Sequence, residues 1–342
     1  MRYHNILITG GAGFIGTNAA LHFQGLSENI TILDNFSRKG SKDNILLLKE
    51  DFGDKLHIVL EDVRNYSSVL VKAVSEADFV LHLAGQVAVT TSVLHPREDF
   101  ESNALGTFNM LEAVRESGNN PVFIYSSTNK VYGNLESIPV RETETRYEFE
   151  DAPFGIDETQ GVDFHSPYGC SKGTGDQYVH DYSKIFGLNT VVFRQSCIYG
   201  PHQFGIEDQG WLAWFFISAL KERPITIYGN GKQVRDVLYI DDLVRAYELA
   251  ALHIKKTKGQ IYNIGGGVEN SISVWQEFSA LVKELSGKEP QVEYKEQRSG
   301  DQKIFIADIR KALKDFEWKP LVGVKEGCQK LYQWICDNKE LF

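Results

Sequence analysis

The chain has 342 residues, of which 42% are apolar and 24% are charged, a balance typical of a globular protein with one large core or two unequal domains. Its formal net charge of −10 argues against the broad basic surface that binds nucleic acids or anionic membranes. The longest apolar run, Trp211 to Leu220, is too short to span a bilayer, and Met1 to His4 show no signal-peptide pattern. We therefore expect a soluble cytoplasmic protein without a membrane or nucleic-acid partner.

The four cysteines have neither a C-x-x-C spacing nor a Cys/His spacing of the kind that metal sites require. We expect no metal site and reduced, buried thiols at Cys170, Cys197, Cys328 and Cys336. Because the net charge is negative, any anionic ligand must be held by local groups.

The first half of the chain alternates two kinds of segment. Near-continuous apolar runs predict strands buried on both faces, at Ile6 to Thr9, Ile30 to Asp34, Leu56 to Leu60, Phe79 to Ala84 and Val122 to Ser126. Helical spacing between them predicts helices at Phe14 to Phe23, Ser67 to Val74 and Pro96 to Ser117. This alternation is typical of an α/β protein with a doubly wound parallel sheet.

Past Arg194 the alternation becomes irregular. The pattern predicts a helix at Trp211 to Glu222, a strand at Ile225 to Tyr228, a helix at Asp242 to His253 and a strand at Gln260 to Ile264. The last two elements indicate a return to the sheet. We therefore predict a larger domain of residues 1–196 with 236–265, and a smaller, mainly helical C-terminal domain of residues 197–235 with 266–342.

Acidic side chains mix with aromatic residues and glycines between Arg141 and His165. A segment of this length without a regular pattern predicts a long loop over the functional site. A solvated surface excursion is the alternative, and the sequence leaves both open.

A glycine-rich segment, ITGGAGFIG, joins the first predicted strand to the first predicted helix and contains Gly10, Gly13 and Gly16. Glycines there allow a tight turn and let backbone amides approach a pyrophosphate at the helix N-terminus. The segment predicts a Rossmann-type dinucleotide site. A glycine-rich turn without a ligand is the alternative when the segment is considered alone.

Asp34 ends the second predicted strand, close to the separation of about 20 residues at which a carboxylate binds the ribose hydroxyls of a dinucleotide. A carboxylate repels a 2′-phosphate, so NAD is favoured over NADP, although Arg38 and Lys39 could meet a phosphate. Turns after the third and fourth strands are placed to line the cofactor. The predicted NAD-binding residues are Gly10, Gly13, Phe14, Ile15, Gly16, Asp34, Asn35, Arg38, Asp62, Val63, Leu83, Ala84, Gln86, Ser126, Tyr168 and Lys172.

Tyr168 and Lys172 are four residues apart, which puts both side chains on one face of a helix that Pro167 can open. A lysine ammonium there can lower the pKa of the tyrosine from about 10 towards the working pH, so that the phenolate acts as a general base. Chance supplies about one such pair in a chain of this composition. The other pair, Tyr228 and Lys232, spans a Gly-Asn-Gly turn and should not share a helical face.

A hydroxyl partner for this pair is expected at the carboxyl end of a central strand, where ligands lie in open α/β sheets. The string YSSTNKVYG supplies three candidates. We assign Thr128 to orient the reacting oxygen towards the tyrosine, and we expect Ser126 and Ser127 to lie in the strand and face the cofactor.

Together these segments resemble the extended short-chain dehydrogenase/reductases that act on nucleotide sugars, over nearly the whole chain. The resemblance implies that the catalytic Ser/Thr, Tyr and Lys of that family are Thr128, Tyr168 and Lys172. It also implies that Arg235 in GNGKQVRD and Arg298 in RSGD hold the substrate pyrophosphate, because a guanidinium can grip phosphate oxygens in a bidentate fork. Two exposed surface arginines are the alternative.

Four longer strings are most similar to those of the 2-epimerases of CDP-linked 3,6-dideoxyhexoses: AGQVAVTTS, STNKVYG, DFHSPYGCSK and DQGW. Cys197 stands where the wider family often has Asn, and Asn129 and Lys130 stand where its dehydratases have Asp-Glu, so water elimination is not expected. The predicted substrate-binding residues are Gln86, Val87, Thr128, Asn129, Cys197, Arg235 and Arg298.

The resemblance implies an NAD-dependent nucleotide-sugar epimerase that oxidises C2 of the sugar transiently and returns the hydride to the other face. It also implies a homodimer or homotetramer. The nearest rival is a UDP-hexose 4-epimerase that uses the same residues, and the catalytic residues cannot separate the two. A non-catalytic NAD-binding protein is the distant rival, against which the intact Thr128, Tyr168 and Lys172 argue.

Overall fold

The computed structural model describes residues 2–297 and 301–342. Its elements up to residue 199 are β1 (Tyr3–Thr9), α1 (Phe14–Phe23), β2 (Ser27–Asp34), α2 (Ser41–Phe52), β3 (Leu56–Leu60), α3 (Ser68–Ser75), β4 (Phe79–His82), α4 (Val89–Leu94), α5 (Pro96–Phe100), α6 (Gly106–Ser117), β5 (Val122–Thr128), β6 (Val140–Glu142), β7 (Tyr147–Phe149), α7 (Ser166–Phe186), β8 (Thr190–Gln195) and β9 (Cys197–Tyr199). The later elements are α8 (Trp211–Leu220), β10 (Ile225–Tyr228), β11 (Val234–Tyr239), α9 (Ile240–Leu252), α10 (Ile254–Thr257), β12 (Gln260–Ile264), β13 (Ser271–Ser273), α11 (Phe278–Ser286), β14 (Val292–Lys295), β15 (Ile304–Phe305), α12 (Arg310–Phe316) and α13 (Val324–Asp337).

Seven of these strands form a parallel sheet in the order β12-β8-β5-β4-β1-β2-β3. Alternate residues of β1 point into two separate cores, since Ile6 and Ile8 pack on one face and Leu7 on the other. The first core contains buried side chains of α1, α2 and α9, and the second contains those of α3, α6 and α7. The predicted doubly wound α/β fold is confirmed.

Smaller sheets follow in the C-terminal part of the chain. Strand β11 pairs with β9, β13 and β15, and β10 pairs with β14. The buried carboxylate of Asp236 stabilises this region, because Oδ2 accepts the backbone amides of Gly267 and Ala307, each at 3.2 Å. The predicted domain division at residue 236 falls inside β11, and the division as a whole stays a prediction.

Several elements differ from their predicted form. The predicted helix from Pro96 to Ser117 is divided by a π-helical turn at Glu101–Leu105, where the amide of Gly106 reaches back to the carbonyl of Glu101. The acidic segment contains the hairpin β6 and β7 before it continues as irregular chain. The four thiols are free as predicted, but of the four only Cys328 is buried. Cys170 is exposed on α7, and Cys197 and Cys336 are partly exposed, so the prediction of buried thiols was wrong for these three.

Among the described residues, no helix combines the length and the apolarity that crossing a membrane requires.

Candidate active site

The carboxyl end of β5 and the start of α7 bring the three predicted catalytic residues together. Thr128 is the last residue of β5, and Tyr168 and Lys172 lie in the first two turns of α7. Pro167 occupies the first turn, where its missing N–H leaves no helical bond unmade. The backbone amide of Tyr168 donates to Oγ of Ser92 at 3.1 Å, which ties this end of α7 to α4.

The environment of Tyr168 favours the neutral phenol. Burial raises the pKa of Tyr168 to about 12, although a hydrogen bond with Thr128 and the charge of Arg38 act in the opposite direction. The sequence predicted that Lys172 would lower this pKa. The structure differs because a buried phenolate loses its hydration, and that loss is larger than the favourable contacts within the protein.

Lys172 is the second buried titratable group of the site. Burial lowers its pKa to about 7, while the charges of Asp99 and Asp176 raise it. Its Nζ lies 4.3 Å from the centroid of the Tyr125 ring, within the range of a cation–π interaction. Burial and the two carboxylates thus act in opposite directions on the ionisation of this amine.

A fully buried ion pair supports α7 from below. Asp176 accepts two hydrogen bonds from Arg194, Nε to Oδ2 and Nη2 to Oδ1, both at 2.9 Å. Ser127 Oγ donates to Oδ2 of Asp176 at 2.8 Å, and Nη1 of Arg194 donates to the hydroxyl of Tyr132 at 3.1 Å. Asp176 was missed in the sequence, where its only signal is its position four residues after Lys172 on the same helical face.

The two serines of β5 point to opposite faces of the sheet. Ser127 contacts Asp176 on α7, as described above, whereas Ser126 shares a hydrogen bond with Tyr247 on α9. We expected Ser127 to face the cofactor. Its side chain instead points towards α7, because successive side chains of β5 point to opposite faces of the sheet. The cofactor contact of Ser126 stays a prediction.

The glycine-rich loop fits a dinucleotide pyrophosphate. Gly10 has φ +66°, and a Cβ there would lie 2.8 Å from the backbone nitrogen of Ala84. A Cβ at Gly16 would lie 2.5 Å from the Cα of Gly11, so α1 packs closely on the loop. At Gly13 the added Cβ would meet only the carbonyl oxygen of Gly10, at 3.2 Å, which leaves the start of α1, with Phe14 and Ile15, open to an anion.

Asp34 lies where the ribose-binding carboxylate was predicted, at the end of β2. Its Oδ2 accepts the amide of Ala12 at 3.0 Å and its Oδ1 accepts that of Phe36 at 2.7 Å. Burial raises its pKa, and these amides oppose the rise. Arg38, the candidate for a phosphate contact, instead donates a hydrogen bond to Gln209.

The other predicted cofactor residues lie in the turns that follow β2, β3 and β4. Burial acts to raise the pKa of Asp62, but hydrogen bonds from Arg64 and Asn35 outweigh it and hold that pKa at about 2. The amides of Leu83 and Ala84 donate to the Thr9 hydroxyl, each at 3.2 Å, so this turn is fixed against β1. Val63 is buried beside the turn after β3.

Gln86 was predicted to contact both cofactor and substrate. Its Nε2 donates to Oδ1 of Asp99 at 3.0 Å and to the carbonyl of Ala88 at 2.7 Å. These bonds fix the turn between β4 and α4, in which Val87 is half-buried. Asp99 itself was missed, because a single acidic residue inside a helical pattern resembles any surface position.

The predicted substrate residues cluster beyond β5. Asn129 is buried, and its Oδ1 accepts a hydrogen bond from the hydroxyl of Thr128 at 3.3 Å. Burial lowers the pKa of Lys130 to about 8, and the charge of Arg235 acts in the same direction. Burial raises the pKa of the Cys197 thiol, which also lies near Arg235. Arg298 lies outside the described residues.

Residues 6–265 match the NAD dependent epimerase/dehydratase family. The chain belongs to this family. It is 46% identical over 337 residues to the CDP-paratose 2-epimerase of Salmonella typhi, covering 96% of this chain and 98% of that protein. The predicted resemblance is therefore confirmed, as is NAD as the cofactor of the family.

Two solved epimerases have the same fold over nearly their whole length. The UDP-glucuronic acid 4-epimerase of Bacillus cereus, in complex with UDP-glucuronic acid and NAD, matches with a TM-score of 0.83 at 28% identity, covering 99% of this chain and 100% of that one. The UDP-glucose 4-epimerase of Thermotoga maritima, with UDP-glucose, matches with a TM-score of 0.81 at 30% identity, covering 98% and 99%. The loop, the buried tyrosine and the buried lysine are thus parts of an epimerase/dehydratase scaffold.

Within the described residues, no group of three or more His, Cys, Asp or Glu side chains is arranged to hold a metal ion. The chemistry that the described geometry offers is proton transfer at Tyr168, with a dinucleotide on the glycine-rich loop.

Proposed function

We propose that this chain converts CDP-paratose to CDP-tyvelose by inverting C2 of the sugar. The observation that carries this proposal is the 46% identity to a CDP-paratose 2-epimerase along almost the full length of both chains. The UDP-hexose 4-epimerases, the nearest rivals, are more distant, at 32% identity to a putative UDP-glucose 4-epimerase of Methanocaldococcus jannaschii.

In this proposal Tyr168 takes the proton from the C2 hydroxyl, and Thr128 orients that hydroxyl by the hydrogen bond it now shares with the phenol. When bound, NAD⁺ accepts the hydride from C2 and later returns it to the opposite face. Lys172 supplies positive charge beside the phenolate before Tyr168 takes the proton from the C2 hydroxyl, and Tyr168 gives that proton back to the sugar oxygen when the hydride returns. The glycine-rich loop and Asp34 would hold the pyrophosphate and a ribose of the cofactor.

Epimerisation requires that the keto sugar reorient without leaving the site. We propose that Arg235, with Arg298, anchors the pyrophosphate during this movement, since charged bidentate contacts are strong and need not change while the sugar turns. The ammonium of Lys130 lies near Arg235 and 3.9 Å from Oδ1 of Asp301, and it adds to the positive charge available there. Asn129 and Lys130 provide no acidic side chain for water elimination, which supports epimerisation over dehydration.

The substrate assignment is tested by incubating the purified protein separately with CDP-paratose, UDP-glucose and UDP-galactose and following the sugar by NMR. We expect inversion at C2 of the CDP sugar. Conversion of the UDP sugars alone would instead support the 4-epimerase. Tyr168→Phe should still bind NAD but lose about 10²-fold to 10⁴-fold in turnover, because it lacks the general base. An active Tyr168→Phe enzyme would contradict the assignment of Tyr168 as the general base. If the wild type converts none of the three sugars, the result would favour a non-catalytic NAD-binding protein.

We further propose that the enzyme is a homodimer or homotetramer that works in the cytoplasm. Exposed apolar side chains on α6 and α7 support self-association, because Phe108 and Tyr178 are 37% and 45% exposed and their ring centroids lie 5.7 Å apart. Ile185 continues this surface along α7 and is 66% exposed. The four free cysteines are compatible with a reducing compartment.

A further inference from the structure

Asp99 is a buried carboxylate for which the proposed reaction has no role. It lies on α5 and only 1% of it is exposed. Its Oδ2 accepts the hydroxyl of Ser171 at 2.5 Å, and its Oδ1 accepts the side-chain amides of Gln86 at 3.0 Å and Asn103 at 3.2 Å. Burial raises the pKa of Asp99, and the hydrogen bonds from Ser171 and Gln86 and the charge of Lys172 act in the opposite direction by favouring the ionised carboxylate.

This carboxylate contacts the helical turn that carries the lysine of the site. Ser171, which donates to Asp99, is the residue directly before Lys172. Asp99 and Asp176 are the two carboxylates whose charges favour the ammonium of Lys172, and the effect of Asp99 is the larger. Asp176 is already engaged by the bidentate contact of Arg194. The donors that contact Asp99 are all neutral, so its charge is not taken up by a cation in the way that Arg194 takes up the charge of Asp176.

The same negative charge opposes ionisation of the phenol. Asp99 acts to raise the pKa of Tyr168 as well as that of Lys172. A negative charge next to an acid and a base raises both pKa values, since it disfavours the phenolate and favours the ammonium. Besides Asp99, the groups that face Tyr168 and Lys172 are Thr128, Arg38, Tyr125, Asp176 and His82. Burial lowers the pKa of His82 to about 3, so its imidazole is neutral.

We propose that Asp99 is a positioning residue that sets the pH limits of turnover through its negative charge beside Tyr168 and Lys172. The proposal rests on the roles proposed above for these two residues. Through Gln86, Asp99 also fixes the turn between β4 and α4, so the charge balance of the pair and the shape of that turn depend on one buried carboxylate.

The test is the pH dependence of kcat for Asp99→Asn, measured with NAD-saturated enzyme on whichever nucleotide sugar the wild type converts. Because Lys172 has the lower pKa and Tyr168 the higher, the acid limb reports the ionisation of Lys172 and the alkaline limb reports that of Tyr168. Without the negative charge both limbs should move to lower pH, by at least about one unit, since charges several ångströms apart in a protein interact at an effective dielectric constant of about 20. Limbs that stay in place while kcat falls would overturn the proposal, because that is the result of a purely structural defect.

Two matched variants test whether the effect depends on the negative charge and on its position at residue 99. Asp99→Glu keeps the negative charge and should keep both limbs within a few tenths of a unit. Glu98→Gln removes a charge from the adjacent, exposed position, where solvent screening should leave the profile unchanged. If Asp99→Asn does not fold, Asp99→Ser provides a second neutral variant with the same expectation.

A measurement without turnover separates this proposal from the substrate assignment. The ultraviolet absorbance of Asp99→Asn is titrated against pH, and the titration of the double variant Asp99→Asn/Tyr168→Phe is subtracted from it. The difference reports the ionisation of Tyr168 alone. The same difference is measured between the wild type and Tyr168→Phe. We expect Tyr168 to ionise at lower pH in the Asp99→Asn background than in the wild-type background. An unchanged titration would overturn the role of Asp99, whereas inactivity on CDP-paratose would count only against the proposed substrate.

Discussion

At the scale of single residues, the ion pair of Asp176 and Arg194 is the contact whose loss should cost most. Both side chains are almost completely buried, at 0% and 3% exposed, and their polar atoms are used within one network. Arg194→Met leaves the carboxylate of Asp176 buried without its cation. We expect a loss of about 3–5 kcal/mol in the free energy of unfolding, measured by urea denaturation.

The control for that prediction is Arg97→Met, which removes the same functional group from a surface pair. Arg97 is 90% exposed and contacts Glu101 at 2.8 Å. Exposed pairs contribute at most about 1 kcal/mol, because water and salt screen them. Equal effects of the two substitutions would mean that burial does not determine the stability contributed by the inner pair.

Site residues could be predicted where a short sequence motif determines their position in a strand or helix. Tyr168 and Lys172 follow a helix-opening proline, and Thr128 ends a strand whose apolar run is plain, so spacing was enough to bring them together. Asp99 and Asp176 could not be found in this way. Each is one acidic residue in an amphipathic helix, and only the packing of α5 and α7 shows that it points inwards.

At the scale of elements, the link between β1 and α1 supports a prediction about cofactor affinity. Gly13→Ala places a methyl group 3.2 Å from one carbonyl oxygen, a close contact that a shift of a few tenths of an ångström relieves, so the fold should tolerate it. The methyl group would occupy the space in which a pyrophosphate approaches the helix N-terminus. We expect NAD affinity to fall at least about tenfold, roughly 1.4 kcal/mol, in isothermal titration calorimetry.

Gly25→Ala is the control for this prediction, because an added Cβ there meets nothing within 4 Å and the residue lies outside the loop. It should bind NAD as the wild type does. Unchanged affinity in Gly13→Ala would contradict the proposed position of the pyrophosphate.

Most elements could be predicted because buried strands and amphipathic helices have clear periods, and β3, β10, β12 and α1 have the predicted bounds. The π-helical turn after α5 could not be predicted. Its wider turn leaves no periodic signal in the sequence, and it is fixed by tertiary contacts, such as the hydrogen bond of Asn103 to Ser171 at 3.1 Å.

At the scale of the whole molecule, the exposed apolar surface of α6 and α7 predicts the effect of one charge on assembly. Phe108→Glu introduces a carboxylate that an apolar interface would have to desolvate without a partner. We expect sedimentation velocity to show a shift of the dimer or tetramer towards the monomer. Leu321→Glu, a change at a 65% exposed leucine elsewhere, should leave the mass unchanged. A wild-type monomer would contradict the proposed assembly.

The position of β12 in the sheet has a consequence for the nascent chain. This edge strand is made of residues 260–264, yet it pairs with β8, and the strands β9, β10 and β11 of the smaller sheets are synthesised between them. A ribosome therefore releases β8 long before its outer neighbour exists, so one edge of the main sheet presents unpaired amides and carbonyls during that interval. Pausing of translation between residues 200 and 260 would prolong this interval, in which the chain is most exposed to aggregation and most in need of a chaperone.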